Sequence, residues 1–308
     1  PTPIVLSGAD ARQQIAVTLS LADGSVRDVT SRSRFTVGSE GVVRASESGV
    51  LQSLRDGVSV VRVEANGQSV EVPVRVERTS FARQVSYRLD VTAVLSKAGC
   101  NMGACHGNLN GKGGFRLSLR GEDPQFDCAS LTRDAFARRT DPGAPARSLV
   151  LLKPTGQVPH EGGVRFAMNS PEAATLVAWV AQGARDDAAA APRLSRLSVF
   201  PAERIAAPGA LAQQLVVTAE FADGTRRDVT RQASYDVTDP TLVTVTSEGR
   251  VDAQRACETT VAVRYLAGRA ISRLAFLRDR PGFAWYDVPE RNVIDTHVFA
   301  KLKALHIS

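Results

Sequence analysis

Cys100, Cys105 and His106 stand together in the stretch GCNMGACHG (residues 99–107), which holds two of the chain's four cysteines. A cysteine pair followed at once by a histidine suits covalent haem attachment. Two thioether bonds fix one edge of the macrocycle, and the histidine swings under the iron as its proximal ligand. The usual spacing is C-x-x-C-H, whereas four residues separate the cysteines here. The step from Cys105 to His106, which places the iron ligand, is unchanged. Gly103 in the intervening NMGA is free to take positive φ, so the surplus backbone is expected to bulge outward. Two other chemistries compete. Cys100, Cys105, His106 and His160 make a Cys2His2 set for zinc, although a histidine adjacent to a cysteine is awkward for two vertices of one tetrahedron. A disulfide between the two cysteines would close a short loop, stabilise little and leave His106 without a role.

If the group is haem, the sixth iron ligand comes from a short list. Met102 lies between the attachment cysteines on the proximal side, and His297 and His306 fall in the tail. His160, in VPHEGG, is the favoured distal ligand, since Pro159 and Gly162–Gly163 frame a turn that can present its ring. Met168, just before a helix, is the alternative. A His/His iron implies a low-spin, low-potential centre. Arg120, Arg165 and Lys153 are the candidate partners for the propionates. GNLNGKGG around Lys112 lacks the G-x-x-x-x-G-K-[ST] spacing of a phosphate loop and reads as a turn. Cys128 and Cys257 receive no role. No Ser-His-Asp set, paired-carboxylate helix or metal triad is visible, so the expected activity is one-electron transfer and not enzymatic catalysis.

The elements that must hold these residues read as follows. DVTAVLSKAGC (residues 90–100) suits an amphipathic helix with Asp90 as its N-cap and Val91, Val94 and Leu95 on the apolar face. SPEAATLVAWVAQGA (residues 170–184) is a second helix, capped by Ser170, with Pro171 at its first position, Glu172 in its first turn and Gly183 ending it. FRLSLRG (residues 115–121) reads as a hairpin. A helix leading into a Cys-Cys-His motif, a loop-rich middle and a closing helix are the parts of a small class I-like cytochrome c.

A repeat brackets this segment. QQIAVTLSLADGSVRDVT (residues 13–30) matches QQLVVTAEFADGTRRDVT (residues 213–230) without a gap, and Gly49 then aligns with Gly249. Each copy is an alternating strand, an Asp-Gly turn and further short alternating strands, the pattern of an antiparallel β-sandwich. Net charge is +6, yet only five of the 38 cationic residues are lysines and the arginines are interleaved with acids. That excludes the clustered patch of a nucleic-acid binder. No apolar run is long enough for a transmembrane helix. The opening PTPIVLSGAD lacks the basic and apolar regions of a signal peptide.

The two repeat copies resemble the bacterial Ig-like group 2 domain, on the ADG[ST]-x-R-D-V-T turn and the strands after it. The segment between them resembles the cytochrome c-like domain of large planctomycete multidomain proteins. That resemblance rests on GCN-x-G-x-CHG, GFRLSLRG-x-D, LTR-x-x-x-x-R, SL-x-LLKPTG-x-VPH-x-GG-x-RF and SPE-x-x-x-L-x-x-W. Cys128 departs from it, standing where the pattern has an aromatic. The resemblance implies one covalent haem c, maturation outside the cytoplasm (most simply in the periplasm), a redox partner protein or neighbouring domain, and carbohydrate or surface contacts through the Ig-like domains; the alternative is a structural, adhesion or carbohydrate-binding Ig-like protein with a sensory or vestigial haem. The tail resembles the truncated start of the domain of unknown function that follows in that family. The expected architecture is multidomain, with two all-β Ig-like sandwiches flanking a mainly α, loop-rich class I-like cytochrome c domain. Its expected divisions are a sandwich over 1–78, the haem domain over 79–184, a linker over 185–193, a second sandwich over 194–279 and a helical start over 280–308.

Overall fold

The computed structural model describes residues 2–81, 83–286 and 288–307. Two β-sandwiches flank a helix-containing middle segment. In the first, Ile4–Ser7, Gln68–Glu77, Gly57–Ala65 and Arg34–Val37 form one sheet. Arg12–Gln14, Val50–Ser53 and Val43–Ala45 form a facing ribbon. Strict alternation along Gly57–Ala65 sends Val61 and Val63 inward, against Leu51, Val72 and Val74, as a half-buried strand requires. The second copy repeats this plan, with Val251, Val261 and Val263 at the equivalent places of its core. The sheets are not purely antiparallel, because Ile4–Ser7 runs parallel to Gln68–Glu77 and Glu203–Ala206 runs parallel to Gly268–Phe276.

The two sandwiches are joined to each other by the turn that the repeat shares. Asp28, closing the first copy's hairpin, accepts hydrogen bonds from Gln213 Nε2 at 3.1 Å and from the Gln214 amide at 3.2 Å. Asp228, its counterpart, accepts from Gln13 Nε2 at 3.1 Å and from the Gln14 amide. Each carboxylate also caps its own turn, at the amides of Thr30 and Thr230. Matching residues of the two copies thus exchange matching bonds across a local two-fold. Burial raises the pKa of both carboxyls above the ordinary aspartate value, against the opposing pull of these donors. Around the clasp, the Ala207 amide donates to Val26 O, and Arg27 donates to Pro208 O. Arg204 donates to the Thr18 hydroxyl.

The middle segment carries four short helices, α1 (Thr92–Lys97), α2 (Pro124–Thr132), α3 (Leu149–Leu152) and α4 (Pro171–Ala181). They close over Tyr87, Leu117, Leu131, Leu151, Leu176 and Trp179. The α4 start is as the sequence implies: Ser170 Oγ accepts from the Ala173 amide, and Pro171 opens the helix. The entry to α1 differs. Ser86, not Asp90, caps a wide turn at Tyr87–Val91, and Asp90 reaches back to accept from the Ser86 amide. That leaves the Asp90 carboxylate buried and turned toward the second sandwich, where Gln232 donates to it at 3.0 Å. FRLSLRG is not a hairpin: one isolated bridge joins Lys112 to Phe115, and a single 3-10 turn follows at Leu119–Gly121.

The helical unit docks on the second sandwich. Leu89 and Ala93 are part of that sandwich's core, and Tyr265 Oη donates to Leu89 O at 3.1 Å. Lys97, from the end of α1, donates to the carbonyls of Arg231 and Ser247. A last helix, α5 (Val293–Ala304), buries none of its residues and touches the second sandwich through Lys301 and Glu258 at 2.9 Å.

Candidate functional site

The Gly99–Gly107 stretch is a compact turn tied to the end of α1. The Cys100 amide donates to Leu95 O, the Cys105 and Gly107 amides to Met102 O, and the His106 amide to Cys100 O. Gly107 is obligatory here, since a Cβ would fall 2.0 Å from Asn101 O. The positive φ expected at Gly103 lies instead at Gly99, where the helix ends. Asn101 sits beneath the turn, buried, and donates to Ser96 Oγ at 2.8 Å.

This turn forms one wall of a cavity of about 240 Å³. Leu95, Phe115, Leu131 and Leu149 supply its apolar lining, and Cys100, Cys105, His106 and His160 all face it. The two imidazoles lie opposite each other, ring centroids 6.4 Å apart and planes 17° from parallel. Each ring is held through Nδ1, that of His106 at 2.9 Å from Phe115 O and that of His160 at 2.8 Å from Gly163 O. Burial lowers the His106 pKa below the ordinary imidazole value, and the facing His160 adds to that. Burial pushes the Cys100 thiol up to about 11, so it stays protonated near neutral pH.

Lys153 and Arg165 also line the cavity, whereas Met168 and Arg120 are not among its lining residues. Lys153 donates to Pro159 O at 2.9 Å, and Arg165 Nε donates to Ala98 O at 2.6 Å, so both cations brace the loops around the histidines. Sequence reasoning missed three cations on the same wall. Lys112 pairs with Glu161 at 3.0 Å, Arg138 is exposed, and Arg139 is buried over the Phe115 ring at 4.4 Å while donating to Ser130 O. Lys112 lies in a segment read only as a turn, and nothing local marks Arg139 as a buried cation.

The donor set corrects the sequence-based expectation of chemistry. Two imidazoles face each other, but among the described residues no three His, Cys, Asp or Glu side chains converge where they could hold a metal ion. The residues present do not fit the expected group. The covalent haem c, the roles of His106 and His160 as iron ligands and the one-electron transfer function are therefore set aside, and the Cys2His2 zinc alternative falls on the same observation.

No family model matches the chain, and no curated protein matches it. Neither resemblance to a named family is thus reinforced from that side. Among solved structures, domains 5–6 of the S-layer protein SbsC align at 12% identity over 89% of this chain and 94% of theirs, with a TM-score of 0.31. Immunoglobulin domains 1–4 of Sidekick-1 align at 10% over 90% and 50%, TM-score 0.27. Yersinia pseudotuberculosis InvD aligns at 10% over 94% and 61%, TM-score 0.20. Superposition at these scores is loose, and the Ig-like sandwich architecture is read from this chain's own strands and cores. Among the described residues no helix is long and apolar enough to cross a membrane.

Proposed function

We propose that this chain is a structural, adhesion-type Ig-like module of an extracytoplasmic protein, in which two sandwiches are clamped into one rigid bracket around the helical unit. The observation that supports this reading is the reciprocal clasp of Asp28 on Gln213 and Gln214 and of Asp228 on Gln13 and Gln14. Independent beads on a string have no use for buried, matched bonds of this kind. Interfaces between domains in one chain are ordinarily small and polar, and the domains then move. Here buried side-chain contacts remove that freedom, which suits a part that bears load or presents a surface at fixed geometry. The role is non-catalytic, and contact with carbohydrate or another surface component falls to the outer faces of the sandwiches. Small-angle scattering tests the bracket. The wild-type profile is expected to fit one compact arrangement, and the Asp28→Ala/Asp228→Ala variant to give a larger radius of gyration. A wild-type profile that needs an ensemble of separated sandwiches contradicts the reading.

A further inference from the structure

The helical unit displays one side chain in a way its own packing does not explain. Phe136 is fully exposed, at 102% of its reference surface. It sits in the middle of three consecutive non-glycine residues in the left-handed region, Ala135, Phe136 and Ala137, with φ of 52°, 60° and 57°. Such backbone is costly for residues that carry a Cβ and persists only where neighbours impose it. The neighbour is Arg139. Its buried guanidinium holds the base of the loop through Ser130 O at 2.7 Å and Gly114 O at 3.4 Å, over the Phe115 ring. The loop is thus a built feature that holds an aromatic side chain out in solvent.

Its surroundings give the chemistry of what it meets. The cavity behind it is rimmed by three loops, and each ends in an exposed apolar side chain: Leu109 beside Lys112, Phe136 beside Arg138, and Val164 beside Arg165. Lys153 adds a further cation. The acids on these loops are Asp134, Asp141 and Glu161; Glu161 is paired with Lys112, and Asp141 accepts from the Gly143 and Ala144 amides of its own turn. The exposed apolar side chains come from three different loops, each with a cavity-lining cation close by in sequence, which suits an acyl layer under anionic headgroups better than a single apolar pocket. The cations behind them lie where lipid phosphates would sit.

We propose that this loop face docks on an anionic lipid surface, with Phe136 as the inserted anchor and Arg138 meeting the headgroups, while Lys153 and Arg165, which also hold Pro159 O and Ala98 O, add to the positive charge behind it. The proposal stands apart from the bracket reading, because it concerns the helical unit and not the contact between the sandwiches. The test is co-sedimentation of the intact chain with vesicles of phosphatidylcholine alone and of phosphatidylcholine mixed with phosphatidylglycerol. Binding is expected only to the mixed vesicles and is expected to fall steeply with added salt. Phe136→Ser should reduce it about tenfold without changing the thermal melt, since the side chain packs on nothing. Arg138→Glu should reduce it as well. Absence of binding to the mixed vesicles overturns the proposal. So does equal binding to neutral vesicles, or binding that Phe136→Ser leaves intact. Binding to soluble polyglutamate but to neither vesicle would assign the face to an acidic protein and overturn the lipid reading.

Discussion

At the scale of single residues, the turn that holds Cys100, Cys105 and His106 is fixed by Gly107. Gly107→Ala brings a Cβ against the Asn101 carbonyl, backbone against backbone, so neither partner yields as a flexible side chain would. The expected cost is about 3 kcal/mol of stability in chemical denaturation. Gly103→Ala, where a Cβ meets nothing within 4 Å, is expected to change stability by less than about 0.5 kcal/mol. The His106 ring should titrate below the ordinary imidazole range in NMR spectra, because burial disfavours its charged form. The cysteine-histidine spacing made residues 99–107 legible as a special turn. It did not reveal the full lining, because Arg139 and Phe115 reach the cavity only through tertiary packing: nothing around Arg139 marks it as buried, and the alternation after Phe115 points to a hairpin and not to a cavity wall.

At the scale of elements, the helical unit is seated by side chains that cross to its neighbour or back, Lys97, Tyr265 and Gln232 among them. The Lys97 ammonium replaces water at the Arg231 and Ser247 carbonyls, and burial lowers its pKa. Lys97→Ala leaves those carbonyls without their partner and is expected to cost about 1–3 kcal/mol. Tyr265→Phe removes a single bond to Leu89 O and should cost about 1 kcal/mol. Hydrogen exchange at the α1 amides gives the readout, with protection lost there first if the seat is as described. The sandwich strands and α4 were legible, since alternation, Asp-Gly turns and a Ser-Pro cap act locally. The FRLSLRG hairpin was misread because its alternation has no partner strand, and Ser118 turns instead to the buried Asp127 carboxylate at α2. The α1 start was misread because two acceptors, Ser86 and Asp90, compete for one cap, and the second sandwich decides between them through Gln232.

At the scale of the whole molecule, the repeat foretold two similar sandwiches but not that they clasp each other. Asp28 and Asp228 look like turn residues in sequence, and only the fold shows each reaching the Gln-Gln strand of the other copy. The clasp carries a pH signature. Both carboxyls have folded pKa values raised by burial, so their contribution is fully present below the unfolded aspartate pKa and is lost as pH rises through the folded values. Relative to wild type, Asp28→Asn/Asp228→Asn is expected to fold and to lose that part of the pH dependence of unfolding. Whether the two sandwiches form one rigid body can be read directly by backbone 15N relaxation of the intact chain. A rigid bracket gives a single rotational correlation time shared by the amides of both sandwiches. Two different correlation times, each matching a freely tumbling sandwich, would contradict it.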